Sequence, residues 1–201
     1  MKNFLHNRWC WIVGICIIIA AIALLSTGQK AEEKIALMPT LTVETPQKLS
    51  ASQTDEFILD VSISALGDAI YPAMSMNIAF DPSYLEFLGI AEGNVFVLSN
   101  ENTQKLPEWS CNVQKSNESG IISLMYLDMT GGRNAFCKEL LAQDENVLLR
   151  LKFRLRGSVR AGDVLELILE DAVFAASDET QSLAMTAGTL CVQNGRLVIG
   201  E

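Results

Sequence analysis

From about Thr40 onward, apolar and polar residues alternate with a period of two, the mark of strands that bury one face. In Phe57–Ser64, Phe57, Leu59, Val61 and Ile63 share one face, while Asp60, Ser62 and Ser64 share the other. In Ala73–Phe80, Met74, Met76, Ile78 and Phe80 alternate with Ala73, Ser75, Asn77 and Ala79. In Leu148–Leu155, Leu149, Leu151, Phe153 and Leu155 point one way and Leu148, Arg150, Lys152 and Arg154 the other. Further segments of this kind lie at Ile121–Leu127 and Val164–Glu170, with weaker ones near Leu41, Glu86, Phe96, Val173 and Val192. Turn signals separate them: Asp81-Pro82, Gly93-Asn94, Gly120, Gly131-Gly132, Gly157, Gly162 and Asn194-Gly195. No long stretch here has a helical period, and only Ala135–Asp144 suits a short helix. About nine short strands at this spacing predict an all-β fold, a β-sandwich with jelly-roll topology.

The N-terminus follows a different pattern. Residues 1–8 carry Lys2 and Arg8 and no acid, and Trp9–Leu25 is an uncharged apolar run. As one hydrophobic helix it reaches about 25 Å at ~1.5 Å per residue, slightly short of a hydrocarbon core of about 30 Å. It is also longer than the apolar part of most cleavable signals. Two readings stay open: a signal peptide cut after small residues such as Ser26 and Gly28, or an uncleaved anchor holding residues 9–25 in the membrane. Either way the two cations stay in the cytoplasm and the remainder is exported. The expected organisation is a signal peptide or signal anchor at 1–28, a linker at 29–39 and one domain at 40–201. The expected location is extracellular or at the cell surface.

Setting aside Lys2 and Arg8, the exported part has 13 basic against 24 acidic residues, a net charge of −11. That balance opposes binding to nucleic acid, which needs cations against phosphates, and favours a partner with a more basic face. The exported cysteines, Cys111, Cys137 and Cys191, are odd in number, so at most one bridge forms among them. The only histidine is His6, on the cytoplasmic side, which removes the usual general base and the commonest metal ligand. No spacing singles out a pair of catalytic carboxylates, and no phosphate loop or EF-hand pattern occurs. The acidic turn Ser177-Asp178-Glu179-Thr180 has Ca²⁺-binding residue types but reads as an ordinary polar turn. The chain is therefore expected to be no enzyme and to carry no cofactor.

Three stretches go beyond generic alternation. MNIAFDPSYLEFLGIAEGN resembles the third and fourth strands of cohesin domains: a strand ending in an aromatic, Asp-Pro, a short turn, Leu-Glu and a Gly-containing loop. The residues are Phe80, Asp81, Pro82, Leu85, Glu86 and Gly93-Asn94. Asp81 accepts backbone hydrogen bonds in such a turn, and Pro82 pre-sets its backbone angle. GIISLMYLDMTGG resembles the sixth strand, through Gly120, Ile122, Leu124, Tyr126, Asp128 and Thr130. The segment from Asn146 to Thr180 resembles the eighth strand, its loop and the ninth strand, with Leu151-Lys152-Phe153 and Asp178.

The resemblance implies a non-catalytic module that binds dockerins, small calcium-loaded helical domains, in a cellulosome-like assembly. It implies that they are held on the outer face of the sheet containing strands three, five, six and eight. By parity that face takes Ala73, Ser75 and Asn77 from the third strand. The sixth strand supplies Ser123, Met125 and Leu127, with Asp128 at its end, and the eighth supplies Leu148 and Arg150. Met125, Leu127 and Leu148 are apolar where an ordinary solvent face is polar, the form an interface takes. A second buried layer beneath a loop is the competing explanation. The alternative function is a carbohydrate-binding module recognising polysaccharide, for which Trp109, Tyr71 and Tyr84 would have to form a stacking platform.

Overall fold

The computed structural model describes residues 38–46, 48–52, 55–98, 104–131, 133–177 and 183–201. The expected N-terminal helix lies outside the described residues, as does the acidic turn beyond Ser177. Among the described residues, no helix is long and apolar enough to cross a membrane.

The strands are β1 (Thr40–Glu44), β2 (Leu49–Ser50), β3 (Phe57–Ile63), β4 (Ala73–Ala79), β5 (Leu85–Glu92), β6 (Val97–Leu98) and β7 (Gln104–Lys105). They continue with β8 (Ile121–Leu127), β9 (Val147–Leu155), β10 (Val164–Ala175), β11 (Cys191–Gln193) and β12 (Gly195–Gly200). Two five-stranded sheets face each other, in the orders β11-β1-β3-β9-β5 and β2-β12-β10-β4-β8, while β6 and β7 form a small separate pair. Pairing is antiparallel throughout, except β1 with β11 and β2 with β12. The fold is an all-β sandwich, as the alternating pattern predicts.

The inner faces hold the residues that parity assigns to them. Leu59, Val61 and Ile63 of β3, Met74, Met76 and Ile78 of β4, and Leu149, Leu151 and Phe153 of β9 are all buried. Each side chain removed from water in this way contributes about 1.5–3 kcal/mol before the entropy of ordering is subtracted. Phe153 sits at the centre of one aromatic group, with ring centroids 6.1 Å from Phe57 and 5.5 Å from both Phe80 and Phe87. A second group joins Tyr71, Trp109, Tyr126, Phe136 and Phe174.

The Asp81-Pro82 turn forms as expected. Asp81 Oδ1 accepts from Ser83 N at 2.8 Å and Ser83 Oγ at 2.6 Å, and its carbonyl accepts from Leu85 N at 3.0 Å. The Ser83 hydroxyl, and then its amide, hold the Asp81 carboxyl below its ordinary pKa.

Helical structure departs from expectation. Within Ala135–Asp144 only Lys138–Leu140 makes a single 3₁₀ turn. Among the described residues the α-helix is instead α1 (Val113–Ser119). Its sequence, VQKSNES, offers one large apolar residue and hence no periodicity, but its ends are marked. Asn112 is the N-cap, its side chain accepting from Lys115 N at 2.9 Å, and Gly120 closes the helix at φ 72°. A Cβ at Gly120 would stand 2.8 Å from the Phe80 carbonyl, so the close strand approach there also demands glycine. Asn117 ties α1 to β5, accepting from Phe87 N at 2.9 Å and donating to Phe87 O at 2.7 Å, beside the register shift between Phe87 and Gly89.

Candidate docking face

β4 lies between β10 and β8, so three strands share one outer surface. Across the β4–β8 ladder, Ala73 faces Leu127, Ser75 faces Met125, Asn77 faces Ser123 and Ala79 faces Ile121. On the other side, Asn77 faces Glu170 and Ser75 faces Val173. The sequence-expected residues of β4 and β8 are thus brought together. Met125 is 50% and Leu127 52% exposed, and Ile121 and Ile168 extend the apolar surface. Ser110 pairs with Met125, donating to its carbonyl at 2.8 Å and accepting from its amide at 3.1 Å, so a short segment before α1 lines the outer edge of β8. The resulting groove holds about 820 Å³ and is bordered by Lys115 of α1 on one wall and Asp171 of β10 on the other.

Asp128 stands at the end of β8, but its carboxylate closes a turn. Oδ1 accepts from Thr130 N at 2.8 Å, Thr130 Oγ1 at 2.6 Å and Asn134 Nδ2 at 3.3 Å.

Leu148 and Arg150 do not join this face. Their strand, β9, belongs to the opposite sheet, between β3 and β5. The strand that occupies the expected place beside β4 is β10. Leu148 is also fully buried, the second-layer outcome. Asn94 N and Val95 N both donate to Val147 O, Gly93 approaches Leu148 so closely that a Cβ would lie 2.6 Å from its carbonyl, and Trp109 Nε1 donates to that carbonyl at 3.3 Å. The chain after β5 and the indole ring therefore close over the start of β9. Arg150 reaches Asp60 at 3.2 Å and donates to Glu92 O at 2.8 Å.

The two outer faces differ in how charge is settled. On β3–β9–β5, acids and bases alternate across the ladder, with Asp60 paired to Arg150 and Glu86 to Arg154 at 3.7 Å. On β10–β4–β8, the ion pairs found among the described residues do not reach Glu170 or Asp171, and apolar side chains stand beside these carboxylates. A mixed apolar and anionic surface is the form a protein interface takes.

The ring platform needed for stacking sugars is missing at the three expected residues. Tyr71 is fully buried with its hydroxyl donating to Leu183 O at 3.3 Å, Trp109 packs 6.0 Å from both Tyr126 and Phe136, and Tyr84 packs against the core. Cys111 lines the groove as a half-buried thiol, and burial pushes its pKa up; Cys137 is likewise half-buried and raised. Cys191 is exposed. Among the described residues, no three His, Cys, Asp or Glu side chains converge as a metal site.

β10 is the strand of this face that the sequence alone misplaces, although its residues carry a signal. Leu165, Leu167 and Leu169 are buried at odd positions, whereas Ala172 and Phe174 are buried at even ones. That slip of phase marks the bulge where the ladder shifts between Glu170 and Val173.

Solved structures share this architecture. The third ScaC cohesin of Acetivibrio cellulolyticus, solved in complex with the ScaB dockerin, is 12% identical over 82% of this chain and 100% of that one, with a TM-score of 0.58. The OlpA cohesin of Clostridium thermocellum, in complex with Doc918, is 19% identical over 81% of this chain and 99% of that one, at 0.59. A non-cellulosomal cohesin from the archaeon Archaeoglobus fulgidus is 13% identical over 82% and 92%, at 0.54. Comparison with curated proteins yields no match. The model of the family described as "Cohesin domain" matches residues 41–192, about three quarters of the sequence, and the chain belongs to that family.

Proposed function

We propose that this protein is a non-catalytic module that holds a dockerin on the outer face of β10, β4 and β8. The observation that carries this reading is the contrast between the two outer faces. One pairs Asp60 with Arg150 and Glu86 with Arg154, while the other sets Met125 and Leu127, about half exposed, across β4 from Glu170 and Asp171, which no ion pair among the described residues reaches. Family membership supports the same reading, and the ScaC and OlpA cohesins were each solved in complex with a dockerin. No bond is made or broken in such a role; the strands supply a rigid surface, and binding energy comes from covering apolar area and satisfying charge. Polysaccharide recognition is not favoured, because Tyr71 is buried and Trp109 and Tyr84 pack against the core.

The apolar run at residues 9–25 would deliver the domain across the cytoplasmic membrane and, if uncleaved, hold it at the cell surface. Mass spectrometry of the exported protein tests this: an intact residue 1 supports the tether, and a new terminus near residue 29 supports release. For docking, calcium-loaded dockerins are immobilised and the full chain is passed over them. Retention that is lost in Leu127→Asp supports the proposal; passage without retention over all of them rejects it.

A further inference from the structure

We propose, building on the docking role just described, that Asp171 is a specificity-determining residue: a carboxylate presented by the β10 bulge to receive a cationic side chain from the partner. Asp171 has φ 52°, in the left-handed region that residues other than glycine seldom occupy, though aspartate does so more readily than most. A bulge of this kind re-aims a side chain. Here the side chain leans over β4, and its Oδ2 accepts from Asn77 Nδ2 at 3.2 Å. It thereby becomes a wall of the groove that Ser75, Asn77, Met125 and Lys115 also line.

Charge and shape both point to the occupant. Glu170 stands opposite Asn77 in the ladder, so two adjacent carboxylates border the β10 side, and the ion pairs among the described residues lie elsewhere. One neutral amide leaves most of the acceptor capacity of Asp171 unused. On the far wall Lys115 supplies the opposite sign. The floor consists of the small residues Ala73, Ser75, Asn77 and Ala79, and β8 and β10 flank it at about 4.8 Å each. β8 and β10 thus run about 10 Å apart on either side of β4, a spacing over which a single α-helix can lie. A helix laid along β4, with its apolar stripe on Met125 and Leu127, turns its other flank to Asp171, where a lysine or arginine makes a charge-assisted hydrogen bond. The wall charges thus favour one orientation of the partner helix over its reverse.

The test uses a calcium-loaded dockerin that binds the wild-type chain and carries lysine or arginine on its docking helix. Asp171→Asn removes the charge while keeping the shape, and Asp171→Gly keeps the left-handed backbone while removing the carboxylate. Calorimetric titration is expected to show affinity lowered about tenfold or more for both, with unchanged thermal midpoints and a weaker dependence on salt. Asp171→Lys is expected to abolish binding, and exchange of the dockerin cation for glutamate to restore it. Equal affinity of wild type, Asp171→Asn and Asp171→Gly overturns the role of Asp171 while leaving docking intact. Failure of the wild type to bind any dockerin is a separate result, and it overturns both readings.

Discussion

Met125 and Leu127 keep about half of their surface in water, so an aspartate at either position has solvent for its charge. Stability is expected to change by no more than about 0.5 kcal/mol on thermal unfolding, while docking is lost. Leu148 is the opposite case. Buried on β9 beneath the chain after β5, its replacement by alanine is expected to lower stability by about 2–5 kcal/mol. Denaturant unfolding checks both. Tyr126 adds a test against pH. Burial, then the nearby charges of Asp128 and Glu108, push its hydroxyl up to about 12, and that hydroxyl donates to Asn134 O. Raised above the ordinary value near 10, the group favours the folded state fully below pH ~10 and loses that contribution as pH climbs towards 12. Burial raises Tyr71 as well, so spectrophotometric titration is expected to show two tyrosines ionising late, and Tyr126→Phe to remove one of the two steps.

At the scale of elements, the period of two located the strands and their buried parity, because a half-buried strand states its orientation in every second residue. It did not say which strands are neighbours. Leu148 looked outward by parity on β9, yet Val147, Leu148 and Leu149 are all buried, since the chain at Gly93–Val95 and the Trp109 ring cover the second face. Such cover comes from residues about forty to fifty positions away and leaves no mark in the local pattern. α1 was hidden for the converse reason: with one large apolar residue it has no stripe, and its existence rests on Asn112, Gly120 and the bonds of Asn117 to β5. Asn112→Ala is expected to cost about 1 kcal/mol through loss of the cap. Gly120→Ala is expected to cost more, because the left-handed angle and the Phe80 carbonyl both oppose a Cβ. Circular dichroism with thermal unfolding distinguishes the two magnitudes.

At the scale of the molecule, two five-stranded sheets of similar construction present unlike outer faces. The difference comes from a few residues: Arg150 and Arg154 neutralise Asp60 and Glu86 on one, while the β10 bulge adds a carboxylate to the other. The cohesin resemblance was legible in the Asp81-Pro82 turn and in the β4 and β8 sequences. The third strand of the face was not, because a sheet partner is set by the path of the whole chain. The acidic balance, net −9 over the full sequence, suits a partner with a basic surface. Docking is most directly tested by calorimetric titration of a calcium-loaded dockerin into the wild-type chain, Leu127→Asp and Lys152→Glu, the last altering the opposite face. Docking on the β10–β4–β8 face predicts binding by the wild type and by Lys152→Glu and none by Leu127→Asp. Binding that survives in Leu127→Asp and is lost in Lys152→Glu would contradict it.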